Sequence, residues 1–357
     1  MKLLKDTYYN LRASSNFALH NAKTKVIFGI FALIFLLLLP PIIGYNSRWL
    51  EVICIVTLFT ISALGLNIVQ GFCGLLHLGY AGFMSIGAYT SAILMRNLGF
   101  PFWIALPITV LHCGLWGVIL GAPTLRLAGD YFAIVTLGFA ELVFLISRNW
   151  TSVTGGASGF HNVPRPYIFN YEFTRVPPTA YWYLILGLLI ITIYIVTRLS
   201  KSRLGRAWFA IREDEIAAKI CGINIMYYKT LGFAVSAAIA GACGSFWSAF
   251  YNYVNWSNFN FMMSALILCM VVLGGMGSIT GVILGGILLG SLNEVLREVI
   301  YRFKFPPDTR FLLYGALLVL IVRYKPEGLI PNIGVSRELR HMKPPEDHLP
   351  REEMLHR

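Results

Sequence analysis

The sequence predicts an all-α protein, a polytopic bundle of about ten transmembrane helices with two glycine-broken or re-entrant segments. Of its 357 residues, 57% are hydrophobic and 13% are charged, whereas soluble domains have roughly 45–50% apolar and about 25% charged residues. Two stretches, 52–95 and 230–293, contain no Lys, Arg, Asp or Glu. One spanning helix needs about 20 apolar residues, so each stretch holds at least two crossings. Long apolar runs without alternation favour helices over a β-barrel.

The predicted spans are the apolar runs between charged or proline-containing connections. They cover residues 26–39, 50–69, 80–95, 102–122, 131–146, 181–197, 229–251, 261–273, 279–299 and 311–322. The first run also has the outline of a secretory signal peptide. Pro40 and Pro41 follow it where a cleavage site would need small residues, so we favour an uncleaved first helix.

The distribution of basic residues predicts the orientation. The N-terminal arm 1–25, the connection with Arg126, the loop 198–229 and the tail from Arg323 carry 20 of the 29 Lys and Arg residues. Cytoplasmic connections are enriched in Lys and Arg, so we place this set and both termini in the cytoplasm. The chain is then a multi-pass protein of a bacterial inner membrane. Because the basic residues lie between apolar segments and form no stripe, we expect membrane lipid, and not nucleic acid, as a partner.

The chain therefore divides into the arm, a transmembrane domain over 26–330 and a charged tail over 331–357 that we predict to be disordered. The longest connection on the periplasmic side, 148–180, carries the run TGGASG followed by four prolines. Glycine and proline clusters are typical of turns, so we predict an ordered periplasmic loop. Its candidate residues are Thr154, Gly155, Gly156 and Gly159.

Two apolar stretches are broken by glycines, GFCGLLHLG at 71–79 and LGGMGSITG at 273–281. Transporters with repeated halves use such paired interruptions to expose backbone polar groups to a central cavity. The alternative is close helix packing through small residues. Under the first interpretation, the translocation path contains Gly71, Gly74, Gly79, Gly274, Gly275 and Gly277.

Two ionisable residues are further candidates for the path. His77 lies inside the first broken stretch, where a neutral imidazole could bond to exposed carbonyls or face water, although a packing role is the alternative. Glu141 lies within a predicted span, and a carboxylate in hydrocarbon is costly unless it is paired or hydrated. Its alternative is a helix-end pairing with Arg148.

No catalytic, nucleotide-binding or metal-binding motif is present, such as GxxxxGK[ST] or HExxH. We therefore predict no catalytic residues, no metal and no cofactor, and the chain is not expected to be an enzyme. If ATP drives its activity, another chain hydrolyses the ATP.

The loop 198–229 is the most specific feature. Arg212, Glu213, Asp214 and Glu215 are predicted to open a short helix that Gly222 ends. Ile216 and Ile220 share one face at four-residue spacing. The small Ala217 and Ala218 suit close insertion into a groove of a partner protein. The alternative is a solvated loop at the lipid surface.

The run AIREDEIAAKICGIN at 210–224 resembles the coupling loop of the high-affinity branched-chain amino acid ABC transporter permeases. Ala217, Ala218 and Gly222 fit the EAA-type pattern, and Glu215 stands one position further upstream than in the general motif. The resemblance continues in GLNIVQGFCGLLHLGYAGFMSIGAY (65–89), DYFAIVTLGFAEL (130–142), TGGASGF (154–160) and VVLGGMGSITGVILGG (271–286). Cys73 and Leu76 depart from it, where the family more often has a small residue and a serine.

The resemblance implies a permease subunit of an importer. It implies a sister permease subunit, two cytoplasmic ATPase subunits that receive the coupling helix, and a periplasmic substrate-binding protein that delivers leucine, isoleucine or valine. Related members carry urea or short amides, which is one alternative. An ion-coupled secondary amino-acid transporter is another, but it would have no need of a coupling helix. A membrane-embedded enzyme would require a catalytic cluster, which the sequence lacks.

Overall fold

The computed structural model describes residues 36–42, 47–124, 130–169, 171–303, 315–316, 319, 323 and 328–330. The predicted arm 1–25, the predicted tail 331–357 and most of the first and last predicted spans lie outside the described residues.

Long helices dominate the described part of the chain. They are α1 (Ser47–Asn67), α2 (Tyr80–Arg96), α3 (Phe102–Thr124), α4 (Asp130–Asn149), α5 (Thr179–Lys201), α6 (Arg203–Glu213), α7 (Glu215–Ile220), α8 (Ile225–Tyr251), α9 (Phe261–Gly274) and α10 (Ile279–Phe303). A π-helical turn, Ile68–Phe72, continues α1. Short turns of α-helix occur at Leu39–Ile42 and Thr151–Thr154, and 3-10 turns at Gly156–Ser158 and Trp256–Asn258.

Seven helical segments within the described residues are long and apolar enough to cross a membrane. They are Arg48–Phe72, Phe102–Pro123, Tyr131–Asn149, Thr179–Lys201, Ile225–Tyr251, Trp256–Gly274 and Ile279–Leu296. Helix α2 was also predicted as a span, but its 17 residues rise only about 25 Å. The polytopic helical bundle is therefore confirmed, and the total of about ten spans stays a prediction.

Helices α1 and α8 form the centre of the bundle. Helix α8 packs against α2 and α3, and α1 packs against α5, α8, α9 and α10. The most apolar windows of α1 and α8 are 83% and 72% buried, whereas those of α3 and α4 are only 28% buried. The outer helices thus expose apolar faces, as expected where lipid or another membrane subunit covers them.

Small residues let α8 approach its neighbours closely. A Cβ atom added at Gly87 on α2 would lie 2.6 Å from the Cα of Gly241 on α8. On α3, a Cβ at Gly117 would lie 2.8 Å from the Cα of Ala234. Helices in membranes associate through such small-residue contacts, because lipid supplies no hydrophobic force between them.

The described bundle has two distinct ends. At one end, named here the β-ribbon end, β1 (Phe160–His161) pairs antiparallel with β4 (Tyr253–Val254). Nearby, β2 (Tyr167–Ile168) pairs with β3 (Tyr171–Glu172). The other end carries α6 and α7 and is named the α6–α7 end. Both glycine-broken segments lie at the α6–α7 end.

We expect Gly87→Ala to lower the melting temperature of the protein purified in detergent. The added methyl group has no room between α2 and α8, and overpacking costs about 1–3 kcal/mol, more than the roughly 1 kcal/mol that alanine gains over glycine in a helix. Gly187→Ala on α5 is the matched control, because no atom lies within 4 Å of its new Cβ. Equal melting temperatures for the two variants would contradict the packing argument.

Candidate functional site

The segment between α5 and α8 folds into two consecutive capped helices. The Ser202 hydroxyl accepts hydrogen bonds from the N–H groups of Leu204 and Gly205 at 3.1 and 3.4 Å, which starts α6. The Asp214 carboxylate accepts from the N–H groups of Ile216 and Ala217 at 2.8 and 2.9 Å, which starts α7. Both residues are typical N-caps.

The short helix predicted to open at Arg212 begins later in the structure, as α7. Arg212 and Glu213 form the last turn of α6, and they do not open α7. Asp214 has an extended backbone, with φ −154° and ψ 111°, and it separates the two helices. Glu215 is the first residue of α7.

Gly222 ends α7 in a Schellman motif. Its N–H donates to the carbonyl of Lys219 at 3.0 Å, and the N–H of Ile223 donates to the carbonyl of Ala218 at 3.1 Å. Gly222 has φ +82°, and no atom lies within 4 Å of a Cβ added there. The glycine is therefore needed for its left-handed backbone, which other residues adopt only with strain.

Helix α7 presents an apolar face outward. Ile216 and Ile220 are 73% and 81% exposed, whereas Ala218 is buried against the bundle. Ala217 lies on the exposed side with the isoleucines. Exposed isoleucines on a short helix outside the membrane-spanning segments form a surface that a partner protein would cover.

An ion pair ties α7 to the bundle. The Nζ of Lys229 lies 2.6 Å from Oε2 of Glu215, and the Lys229 side chain is only 6% exposed. A buried ammonium group is costly unless it is paired. The acidic residue of the EAA-like motif therefore neutralises a buried cation near the start of α8.

Arg212 points from the end of α6 toward the first broken segment. Its Nη1 donates a hydrogen bond to the carbonyl oxygen of Gly71. A Cβ added at Gly74 would lie 2.9 Å from Cγ of Arg212. Arg212, which belongs to the predicted coupling helix, is thus next to Gly71 and Gly74, which are candidates for the translocation path.

Both predicted helix interruptions are present. After the π-helical turn, residues 73–79 are not helical, and α2 begins at Tyr80. The second interruption separates Gly274 from Ile279, and Gly275 and Gly277 in it have φ +112° and +85°. The glycine-broken character of the segments is confirmed, and a re-entrant path for them stays a prediction.

The two broken segments touch each other. The N–H of Gly277 donates to Oδ1 of Asn67 at 2.9 Å, and a Cβ added at Gly71 would lie 2.5 Å from the Gly277 nitrogen. Nε2 of Gln70 also lies 3.7 Å from Sδ of Met276. The segments, predicted as a pair from the sequence, form one contact region.

Close packing explains several of the candidate glycines. A Cβ at Gly79 would collide with the carbonyl of Thr136 on α4. A Cβ at Gly274 would lie 2.6 Å from the Cα of Val282 on α10. The packing alternative therefore describes Gly71, Gly79 and Gly274, while their place in a translocation path stays a prediction.

His77 is buried in a cluster of aromatic rings. Its ring centroid lies 4.9 to 6.4 Å from four neighbouring rings, those of Tyr80, Phe83, Phe132 and Phe233. This environment favours the packing role over contact with a water-filled path.

Glu141 lies near the middle of α4 and is exposed on the surface of the chain, as are Ile134, Gly138 and Leu145 on the same helical face. The alternative pairing with Arg148 is not formed. The Arg148 guanidinium instead lies over the ring of Trp256, 5.0 Å from its centroid.

The TGGASG run forms a tight turn at the β-ribbon end. The Thr154 hydroxyl lies 2.8 and 2.6 Å from the carbonyl oxygens of Ser147 and Trp150. Gly155, Gly156 and Gly159 have φ +78°, +58° and +76°. The turn leads into β1, which pairs with the connection between α8 and α9.

A cavity of about 540 Å³ opens at the same end, within the roughly 300–1,000 Å³ typical of small-molecule sites. Arg175, Glu294 and Trp247 are among its lining residues. Nε of Arg175 donates to Glu51 at 2.8 Å. The cavity thus combines charged groups of both signs with an aromatic surface.

A multi-pass helical bundle with an exposed apolar helix at one end, beside an arginine that contacts the first of two broken segments, is typical of a membrane transport subunit. The chain belongs to the family described as branched-chain amino acid transport system / permease component, whose model matches residues 49–322. Membership in this family of transport permeases favours the permease over the ion-coupled carrier and the membrane enzyme.

Relatives share most of the chain. The Escherichia coli K12 high-affinity branched-chain amino acid transport system permease protein LivM is 39% identical over 312 residues, covering 82% of this chain and 72% of that protein. The permease protein LivH of the same organism is 25% identical over 300 residues, covering 78% of this chain and 93% of that protein. A probable LivM of Methanocaldococcus jannaschii is 26% identical, covering 77% and 90%. No solved structure matches the chain.

We expect Asp214→Ala to destabilise α7 by about 1 kcal/mol, because it removes the N-cap acceptor. Amide hydrogens of residues 216–220 should then exchange about fivefold faster in the detergent-solubilised protein. Glu213→Ala is the matched control, since Glu213 is exposed at the end of α6 and does not cap α7. The same increase in both variants would show that lost charge, and not the lost cap, loosens the helix.

Proposed function

We propose that this chain is the permease subunit of an ABC importer and that it forms, with a sister permease, the translocation path for leucine, isoleucine and valine. The observation that carries the proposal is α7, whose exposed Ile216 and Ile220 stand on a helix capped at both ends. ATP hydrolysis in two partner ATPases drives transport, and neither ATPase is part of this chain.

The shape and the attachment of α7 support its docking onto an ATPase. Two isoleucines one turn apart fit a hydrophobic groove in the helix-in-groove mode of recognition. The Glu215–Lys229 pair fixes the helix to α8, so a movement of the partner is passed to the bundle. Arg212, Glu213, Asp214, Ala217, Ala218 and Gly222 support or border this surface.

The second permease is inferred from the relatives. LivM and LivH of E. coli are both named as permease proteins of a high-affinity branched-chain amino acid transport system, and both resemble this chain. Two homologous permeases in one system support a heterodimer. Substrate choice then belongs chiefly to a periplasmic binding protein that docks at the β-ribbon end, beside Thr154–Gly159 and the cavity lined by Arg175.

Glu141 indicates which face of α4 meets the path. A charged residue at the centre of a lipid-facing helix costs about 2.5–3.5 kcal/mol on insertion scales. The exposed face with Ile134, Gly138, Glu141 and Leu145 therefore borders water between the two permeases and not lipid. The enrichment of Lys and Arg in the loop 198–229 supports an orientation with the α6–α7 end and both termini in the cytoplasm of a bacterial inner membrane.

Replacing Ile216 and Ile220 together by serine should abolish co-purification of the partner ATPases from mild detergent. Burial of one isoleucine contributes about 1.5–3 kcal/mol, so losing both weakens binding by well over tenfold. The Ile216→Val/Ile220→Val variant keeps an apolar face and should retain the ATPases. With wild-type protein, leucine-loaded binding protein should stimulate ATP hydrolysis. If the wild-type chain is recovered without ATPases, the importer assignment is wrong.

The position of Glu141 is tested by its reactivity as a cysteine. In a Cys221→Ser background, which removes the exposed native thiol, Glu141→Cys should react with a water-soluble maleimide in native membranes. Ile191→Cys on α5 is the control, because Ile191 is 55% exposed and its exposed neighbours one turn away, Tyr194 and Ile195, are uncharged. If residue 141 is as unreactive as residue 191, Glu141 does not border a water-filled path.

A further inference from the structure

Arg212 occupies the position where α7 meets the membrane-spanning bundle. It lies in the last turn of α6, two residues before the Asp214 cap of α7. Its guanidinium is directed inward to the Gly71 carbonyl, whereas Ile216 and Ile220 are directed outward. Arg212 therefore links the region next to α7 with the first broken segment.

The acceptor exists because a helix ends there. The α1 helix and its π-helical turn stop at Phe72, and carbonyl groups in the last turn of a helix lack donors within the helix. Arg212 supplies a donor for one of them. Because the acceptor is a backbone atom, a displacement of Arg212 would shift the backbone at Gly71 and not only a side chain.

Gly71 also lies against the second broken segment. Its Cα lies so close to Gly277 that a Cβ would come within 2.5 Å of the Gly277 nitrogen. The same Gly277 N–H is held by Asn67 at 2.9 Å. A displacement of Gly71 must therefore displace the interruption between α9 and α10 as well.

The α6–α7 unit is attached to the rest of the bundle at further points. Nε1 of Trp208 on α6 donates to the carbonyl of Tyr228 at 2.7 Å, and the Trp208 ring stacks on Phe72 with centroids 6.5 Å apart. The Glu215–Lys229 pair adds a third attachment at 2.6 Å. Helices α6 and α7 are separated by Asp214 alone, and the Asp214 carboxylate accepts from the N–H groups of Ile216 and Ala217.

We propose that Arg212 is a positioning residue that transmits movement of α7 to both glycine-broken segments and so couples ATP hydrolysis to opening of the translocation path. This inference rests on the proposed function, because it requires an ATPase on α7. It assigns Arg212 a contact within the permease, which the sequence alone did not indicate.

The test uses the complete complex in proteoliposomes, with both permeases, both ATPases and leucine-loaded binding protein. Leucine uptake and ATP hydrolysis are measured together for wild type, Arg212→Ala and Arg212→Lys. We expect Arg212→Ala to assemble normally and to hydrolyse ATP, while leucine carried per ATP falls about tenfold, within the range of typical coupling energies. Arg212→Lys keeps the charge with a shorter reach and should give an intermediate ratio.

Arg206→Ala is the matched control. Arg206 lies on the same helix, is exposed and donates to the carbonyl of Lys201 at 3.2 Å. Its removal deletes the same charge without touching the broken segments, so the leucine-to-ATP ratio should stay at the wild-type value.

Several outcomes would overturn the inference. An unchanged ratio in Arg212→Ala would do so, as would a parallel loss of uptake and hydrolysis, since a structural or docking defect lowers both together. Failure of both Arg212 variants to insert would identify a folding residue instead. A wild-type complex without leucine-dependent hydrolysis would refute the proposed function itself, whatever the Arg212 variants do.

Discussion

A helix that is interrupted inside a packed bundle leaves backbone N–H and C=O groups that must find partners away from water, and this requirement organises the α6–α7 end. Arg212 donates to the carbonyl of Gly71, and Asn67 accepts from the N–H of Gly277. The N–H of Leu78 donates to the Thr136 hydroxyl at 3.2 Å. Each partner comes from another helix or loop, so satisfying the interruptions also joins segments up to 210 residues apart.

The sequence located the long helices well where charge and glycine mark their ends. The predicted spans 80–95 and 261–273 correspond to Tyr80–Arg96 and Phe261–Gly274. The start of α8 was placed at Lys229, but the helix begins four residues earlier, at Ile225. A lysine is costly within the membrane, but pairing with Glu215 lets the Lys229 side chain lie buried in the bundle, while Asn224 caps the helix.

The sequence predicted the short helix α7 and the broken segments, but not the contacts between them and their neighbours. Helix α6 was missed, although Ser202 is a typical N-cap and Trp208 and Ile211 are buried at helical spacing. The direction of Arg212 had no signal, because its neighbours Glu213 to Glu215 suggest a solvated charged run. Its acceptor, Gly71, is 141 residues away in the sequence, and no local pattern in a single sequence reports such a contact.

The short length of α7 explains why its attachments matter. A helix of six residues is far below the roughly 12–15 residues at which isolated helices become even marginally stable. Its shape therefore depends on the Asp214 cap, the Gly222 turn and the Glu215–Lys229 pair, and the last of these belongs to the bundle as much as to the helix. These attachments set the position of Ile216 and Ile220 relative to the bundle. Under the proposed function, movement of α7 reaches α8 through Lys229 and the broken segments through Arg212.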